Sequence, residues 1–319
     1  MKVNLGAGGG ILFEKMLKAA EGEYIKTLCA DDELLPNCLE VLVNYMESNP
    51  QVDFAFGDVE YIDENGKDLN ESWFNQREHF SPDKDEIECI KTYLEKISFL
   101  PYIGNLTKKE VLYNININKT YTMLFDMSLW LSLLCKGYKI GFCTQKIVNY
   151  RISENQFSAN KSKTKALRFS FYEHSEWWKI FQTINSIELA KQVFPDSKYN
   201  VYLTKVEDIP FYVAINLFHK WPPHPYSYLN NILNNDEQRE YYIKTFHFGI
   251  KELREMCLDN PYEKKEKLIK RIKNKYIYHV APKKLKFWQL TYLFIHRIFY
   301  ILTLKPIKER LKRKKEYSL

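Results

Sequence analysis

Glycine and proline are scarce, at 11 and 12 of 319 residues, so collagen-like and low-complexity architectures are excluded. The six cysteines (Cys29, Cys38, Cys89, Cys135, Cys143 and Cys257) form no C-x-x-C pair, and the seven histidines form no H-E-x-x-H. A disulfide framework, a zinc module and a zinc hydrolase therefore lack their ligand spacing, and buried thiols in a reduced, cytoplasmic chain are expected. No internal repeat of solenoid period is present. The opening Met1-Lys2-Val3-Asn4-Leu5-Gly6 has no apolar run after its charge, so no signal peptide is expected. Gly6 and Gly8 begin a dinucleotide fingerprint, but Ile11 stands at its third glycine and no G-K-[ST] phosphate loop exists.

What the chain has in quantity is aromatic surface, 23 Tyr and 20 Phe, within a hydrophobic content of 45%. That is enough apolar area to offset the entropy of ordering the backbone. Charge is unevenly placed. Pro261 to Leu319 carries 18 Lys+Arg against 4 Asp+Glu, a local net of +14, whereas the remaining body is net −7. A mildly acidic body with a strongly basic tail is the consequence.

Periodicity divides the body into alternating elements. After a glycine-rich turn, a helical pattern carries Ile11, Leu12, Met16 and Ala19, and Gly22 suits its end. Glu23 to Cys29 predicts a strand that ends in Ala30-Asp31-Asp32-Glu33. Leu39, Leu42, Val43 and Met46 predict a helix after Pro36, and Val52 to Tyr61 predicts a strand with Phe54 and Phe56 on one face. Asp63-Glu64-Asn65-Gly66 is a turn signal ahead of a return strand, although residues 68–84 are polar enough to read as loop. A helix is predicted near Asp85–Glu95, and another opens at Asp126, with Leu129, Trp130, Leu133 and Leu134 in register and Gly137 at its end. Lys139–Cys143 and Lys146–Arg151 predict two short strands, so the body is α/β. From about Thr164 to Met256 the pattern is helical with aromatic faces, interrupted at Trp221-Pro222-Pro223.

Three segments carry residues suited to chemistry. In the first, Asp31 and Asp32 lie at the C-terminal end of a predicted strand, where α/β sheets bind ligands, and their oxygens suit Mg²⁺ or Mn²⁺. The alternative is that they cap the following turn. In the second, Asp126 stands at a helix N-terminus on its apolar face, where the helix dipole favours the ionised form that a general base needs; the alternative is an N-cap without further duty. In the third, Arg151 offers a cationic fork to a diphosphate or, equally, an ion pair to a neighbour.

The segment Gly22-Glu23-Tyr24-Ile25 through Cys29-Ala30-Asp31-Asp32 to Pro36 resembles the family 2 glycosyltransferase signature, in which G-E-Y-I leads to a D-x-D-type metal motif. Cys29 occupies the first Asp position of that motif and Asp31 the second. Phe125-Asp126-Met127-Ser128-Leu129-Trp130 with Gly137-Tyr138-Lys139 is similar to the family's E-D-x-x-L-W…G-Y-K motif, with Phe125 in place of Glu. Tyr150-Arg151 to Ser158 is similar to its Y-R-x-H-x-x-N-x-S stretch, with Ser153 in place of His. The matches cover about residues 4 to 158.

The resemblance implies a GT-A-like (Rossmann-like) mixed sheet in which the family's opening β-α-β-α-β unit, roughly sixty residues, is missing ahead of this chain. It implies inverting transfer of a sugar from a nucleotide-diphosphate donor to a glycan or lipid-linked acceptor in cell-surface polysaccharide synthesis. Asp31 and Asp32 would be metal and donor ligands, Arg151 a donor contact and Asp126 the catalytic base. The alternative is a catalytically inactive truncated remnant that acts as a membrane- or partner-binding protein. Three regions are expected: residues 1–160, a partial GT-A domain; 161–260, a helical region; and 261–319, a basic amphipathic tail.

The tail's mainly apolar stretch Phe287–Leu304 contains Gln289, His296 and Arg297 and is flanked by basic clusters. A spanning helix would bury Arg297 at about 2.5–3.5 kcal/mol, which favours a helix lying in the interface over a buried helix or a span. An anionic membrane surface is thus the expected partner and the inner face of the cell membrane the expected place. Nucleic acid is not an expected partner, because the apolar stretch has no place on a phosphate backbone.

Overall fold

A strand with both faces covered should be buried along its length, and in Phe54–Ile62 eight of nine residues are buried, Asp58 included. The computed structural model describes residues 9–76, 81–95, 99–153, 163–220 and 224–259, without the side chains of residues 76 and 163–171. The chain forms two compact units, Met1–Glu263 and Lys264–Leu319. The basic tail, its Phe287–Leu304 stretch, the opening turn and the end of the third motif at Ser158 lie outside the described residues.

The first unit opens with α1 (Gly9–Ala19), β1 (Tyr24–Ile25), β2 (Glu33–Leu34), α2 (Cys38–Ser48), β3 (Phe54–Ile62) and β4 (Asp68–Ser72). Next come α3 (Trp73–Gln76), α4 (Glu86–Glu95), a 3-10 turn (Tyr102–Gly104), β5 (Asn105–Lys108), α5 (Lys109–Tyr113), α6 (Phe125–Cys135) and β6 (Ile140–Arg151). After β6 only helices follow among the described residues: α7 (Lys163–Phe181), α8 (Ile187–Val193), α9 (Ile209–Leu217), α10 (His224–Asn234), α11 (Asp236–Phe246) and α12 (Ile250–Leu258), with a 3-10 turn at Val206–Asp208. None of the described helices is long and apolar enough to cross a membrane.

The sheet is mixed, in the order β1-β5-β3-β6-β2, with β4 paired to the far half of β3. β3 and β6 run parallel from Phe54↔Ile140 to Ile62↔Arg151, and every other pair is antiparallel. An α/β architecture with a mixed sheet and a helical C-terminal part is therefore what the chain adopts. The strand period of two sends alternate residues of β3 to opposite layers. Phe54 and Phe56 face α6, where Trp130 stacks on Phe54 at 6.1 Å and meets Phe56 edge-on at 5.2 Å. Ala55 and Val59 face α2, in a second core with Leu42, Met46 and Ile147. The larger core runs on from α6 to Trp177 and Trp178 of α7 and to Phe211 and Leu253.

Four local expectations differ from the structure. The strand at Glu23–Cys29 is regular only at Tyr24–Ile25, because the next residues bond through side chains: Lys26 Nζ and Thr27 Oγ1 reach carbonyls of Ile103 and Tyr102. Residues 68–76 are not loop but β4 and α3, since the polar side chains of β4 lie on an exposed edge while its backbone pairs with β3. Lys139–Cys143 and Lys146–Arg151 form one strand, β6, with the register shifting beside Gly57 and Asp58. In α1 the buried face is Gly10, Phe13 and Leu17, whereas Leu12 and Met16 are exposed.

Candidate active site

The turn that carries the acids is held from three sides. Asp32 N–H donates to the Cys29 carbonyl at 3.3 Å, closing the turn, and β2 then pairs with the end of β6 through Glu33↔Asn149. The Arg151 backbone N–H donates to Asp32 Oδ1 at 3.0 Å. Its guanidinium is committed to the same neighbourhood: Nε to the Asp31 carbonyl at 3.0 Å, the two terminal nitrogens to the carbonyls of Asp63 and Glu64 and to the Glu33 carboxylate. Arg151, expected as a donor contact, thus sits as a clasp on the acid-bearing turn, the ion-pair alternative of the sequence reading.

The two aspartates differ in environment. Asp31 is exposed, whereas Asp32 is buried and its Oδ2 has no hydrogen-bond partner. Burial pushes the Asp32 carboxyl up to about 6, against the Arg151 N–H, which favours the charged form. Ligand atoms of Cys29, Asp31 and Asp32 lie within 4.8 Å of one another. An unsatisfied buried oxygen beside two further ligand atoms fits a divalent cation; carboxylate oxygens suit Mg²⁺ or Mn²⁺, and the Cys29 sulfur is the softer departure from such a set.

Asp126 stands in the first turn of α6, a helix with buried residues on every side. It faces inward because α6 has almost no polar face to turn to solvent. The N–H groups of Met127 and of Asp126 itself favour its ionised form, as the dipole argument expects, but burial outweighs them. Helped by the negative charge of Glu173, burial pushes this carboxyl up to about 6. The site's acids meet around Cys29. Its thiol is pushed up to about 12, first by burial and then by the charges of Asp32, Asp31 and Asp126, so all three carboxylates act on one sulfur. Tyr102 of the 3-10 turn is raised first by burial and then by Cys29 and Asp126, so it responds to a group from each of the two motifs.

Two neighbours were not singled out from sequence. Lys26 lies near Asp32 and Cys29 and is drawn down to about 8 by burial; its place two residues past Tyr24 in an extended segment was the available signal. Glu173 of α7 accepts the backbone N–H groups of Thr122, Met123 and Leu124 just before α6. No local pattern announces that contact, since it joins residues about fifty positions apart.

Residues 2–115 match the model of glycosyl transferase family 2. An uncharacterized glycosyltransferase of Methanocaldococcus jannaschii is 30% identical over 176 residues, 55% of this chain and 57% of that protein. The chain thus spans little more than half the length of that relative. Among solved structures, S. aureus TarS 1-349 in complex with UDP overlaps 81% of this chain and 73% of its own, at 14% identity and a TM-score of 0.35. S. aureus TarS 1-349 overlaps 83% and 74%, at 14% identity and a TM-score of 0.37. The first of the three motifs lies within the matched segment, so the similarity to glycosyl transferase family 2 covers the acid-bearing turn.

Proposed function

We propose that this chain transfers a sugar from a nucleotide-diphosphate donor to a hydroxyl of a glycan or lipid-linked acceptor, with inversion, in the synthesis of a cell-surface polysaccharide. One observation supports the reading: the half-buried carboxyl of Asp126 and the acids of the Asp31–Asp32 turn all act on the Cys29 thiol, which is what a base and donor ligands working in one neighbourhood require. Asp31 and Asp32, with Cys29 beside them, would hold Mg²⁺ or Mn²⁺, whose chemistry is to neutralise charge on a leaving diphosphate. Arg151 keeps that turn in place.

Asp126 supplies the other half of the reaction. Its ionised carboxylate accepts the acceptor's hydroxyl proton while that oxygen bonds to the anomeric carbon; the bond from that carbon to the diphosphate oxygen breaks, and its electron pair leaves with the phosphate. A carboxyl raised to about 6 is still ionised at neutral pH, and is a stronger base than an ordinary aspartate. Transfer takes place at the inner face of the cell membrane, where the basic tail meets anionic lipid; the support for this is the tail's sequence alone.

The test is Asp126→Asn, assayed with a panel of nucleotide sugars. Turnover is expected to fall by roughly a thousandfold. The wild type should lose rate below about pH 6, tenfold per unit of pH, because the base is then protonated. Undiminished transfer by the Asn variant overturns the assignment.

A further inference from the structure

α6 begins without a cap of its own. Leu124 occupies its N-cap position and has no side-chain oxygen to accept the free amides that every helix start presents. The amides of the three residues leading into the helix are met from α7. One oxygen of Glu173 accepts Thr122 N–H at 2.7 Å, the other accepts Leu124 N–H at 2.7 Å, and Met123 N–H is shared between them at 3.2 and 2.9 Å. Three consecutive amides converging on one carboxylate form an anion nest. The occupant is a side chain buried to 7% exposure, and such charge-assisted bonds are roughly twice as strong as neutral ones.

We propose that Glu173 is a positioning residue for the reaction: by gathering the amides of Thr122, Met123 and Leu124 it sets where α6 begins and hence where the Asp126 carboxyl stands. This rests on Asp126 being the base. It also makes α7 part of the active site, although α7 lies far beyond the segment that the family model matches. Two observations support it besides the hydrogen bonds. α6 and α7 pack directly against each other, so the nest is part of a continuous interface. Glu173 also acts electrically on Asp126, and its charge favours the protonated carboxyl. Among the described residues, Tyr93 from α4, Tyr102 from the 3-10 turn and Cys29 from the acid-bearing turn also respond to the Asp126 charge. Glu173 thus brings a charge from the helical region to bear on the proposed base.

The experiment uses the full chain with Glu173→Gln, Glu173→Asp and Asp126→Asn. Glu173→Gln replaces an acceptor oxygen by an amine that cannot accept an N–H. It is expected to speed hydrogen exchange of the amides at residues 122–124 by at least tenfold and to lower kcat by about tenfold to a hundredfold, since misplacing a catalytic group by about 1 Å costs that much. The Asp126 carboxyl resonance, assigned by its loss in Asp126→Asn, should titrate at lower pH once the Glu173 charge is gone. Glu173→Asp keeps the charge but withdraws it by one methylene: its kcat should fall, while Asp126 titrates near the wild-type pH. A change in global stability alone moves none of these site readouts.

Wild-type kcat and an unmoved Asp126 titration in Glu173→Gln would overturn the proposal, and so would unfolding of both Glu173 variants, because a local anchor leaves the core standing. Failure of the underlying reading looks different: Asp126→Asn would then transfer sugar normally, whatever Glu173 does to amide exchange.

Discussion

Asp126, the proposed base, is the residue at which stability and activity are expected to oppose each other. Burial raises its carboxyl from an ordinary 3.8 to about 6. A carboxyl that binds its proton more tightly folded than unfolded favours folding fully below about pH 4, and that contribution is lost as pH rises through about 6. At pH 8 the folded chain carries a buried negative charge at a cost of roughly 1–3 kcal/mol. Asp126→Asn removes that cost, so the variant that loses transfer should unfold at higher urea than the wild type at pH 8, with the difference vanishing near pH 4. Cys29 bears a second prediction. It stands where the family pattern has an aspartate, within 4.8 Å of the ligand atoms of Asp31 and Asp32. Cys29→Asp adds a third hard oxygen ligand and should tighten Mn²⁺ binding on the order of tenfold, read by calorimetry, because charge count tunes such sites.

At the scale of elements, the site depends on how closely neighbours approach. α1 enters against the loop ahead of α6, and Gly10 is where they touch. A Cβ at Gly10 would run into the Asn118 carbonyl oxygen and come within 2.8 Å of the Lys119 Cα. Both are backbone atoms, so no rotamer change relieves the clash. Alanine gains about 1 kcal/mol of helix propensity over glycine, but overpacking against fixed backbone costs about 1–3 kcal/mol. Gly10→Ala is therefore expected to lower the unfolding free energy by up to about 2 kcal/mol in a urea titration. Much at this scale was legible beforehand. The helices at α2 and α4 announced themselves by period, because each buries a stripe of its own residues, and α6 and β3 by their density of apolar residues. β2 and β5 are two and four residues long, too short for any period to register.

Across the whole molecule, the described body and the basic tail are separate in sequence character and belong to different compact units. The membrane proposal lives on the tail and is tested there. Replacing Lys283, Lys284 and Lys286 by Glu in the full chain should weaken binding to anionic phosphatidylglycerol vesicles by roughly a hundredfold, at about 1 kcal/mol for each cation lost. Unchanged sedimentation with the vesicles would remove the reason to place this chain at a membrane.

The amino-acid sequence by itself determined the α/β body, the acids Asp31, Asp32 and Asp126, and the family signature they resemble. These are local facts: a turn, a helix start and their periodic flanks are all spelled out within a dozen residues. Only the tertiary structure decided what surrounds those acids. It closed Arg151 as a clasp over the turn 120 positions earlier, surrounded Asp32 and Asp126 until their carboxyls rose, and anchored the residues leading into α6 on Glu173. Burial and charge at a site are sums over everything that packs there, and no stretch of chain contains its own surroundings.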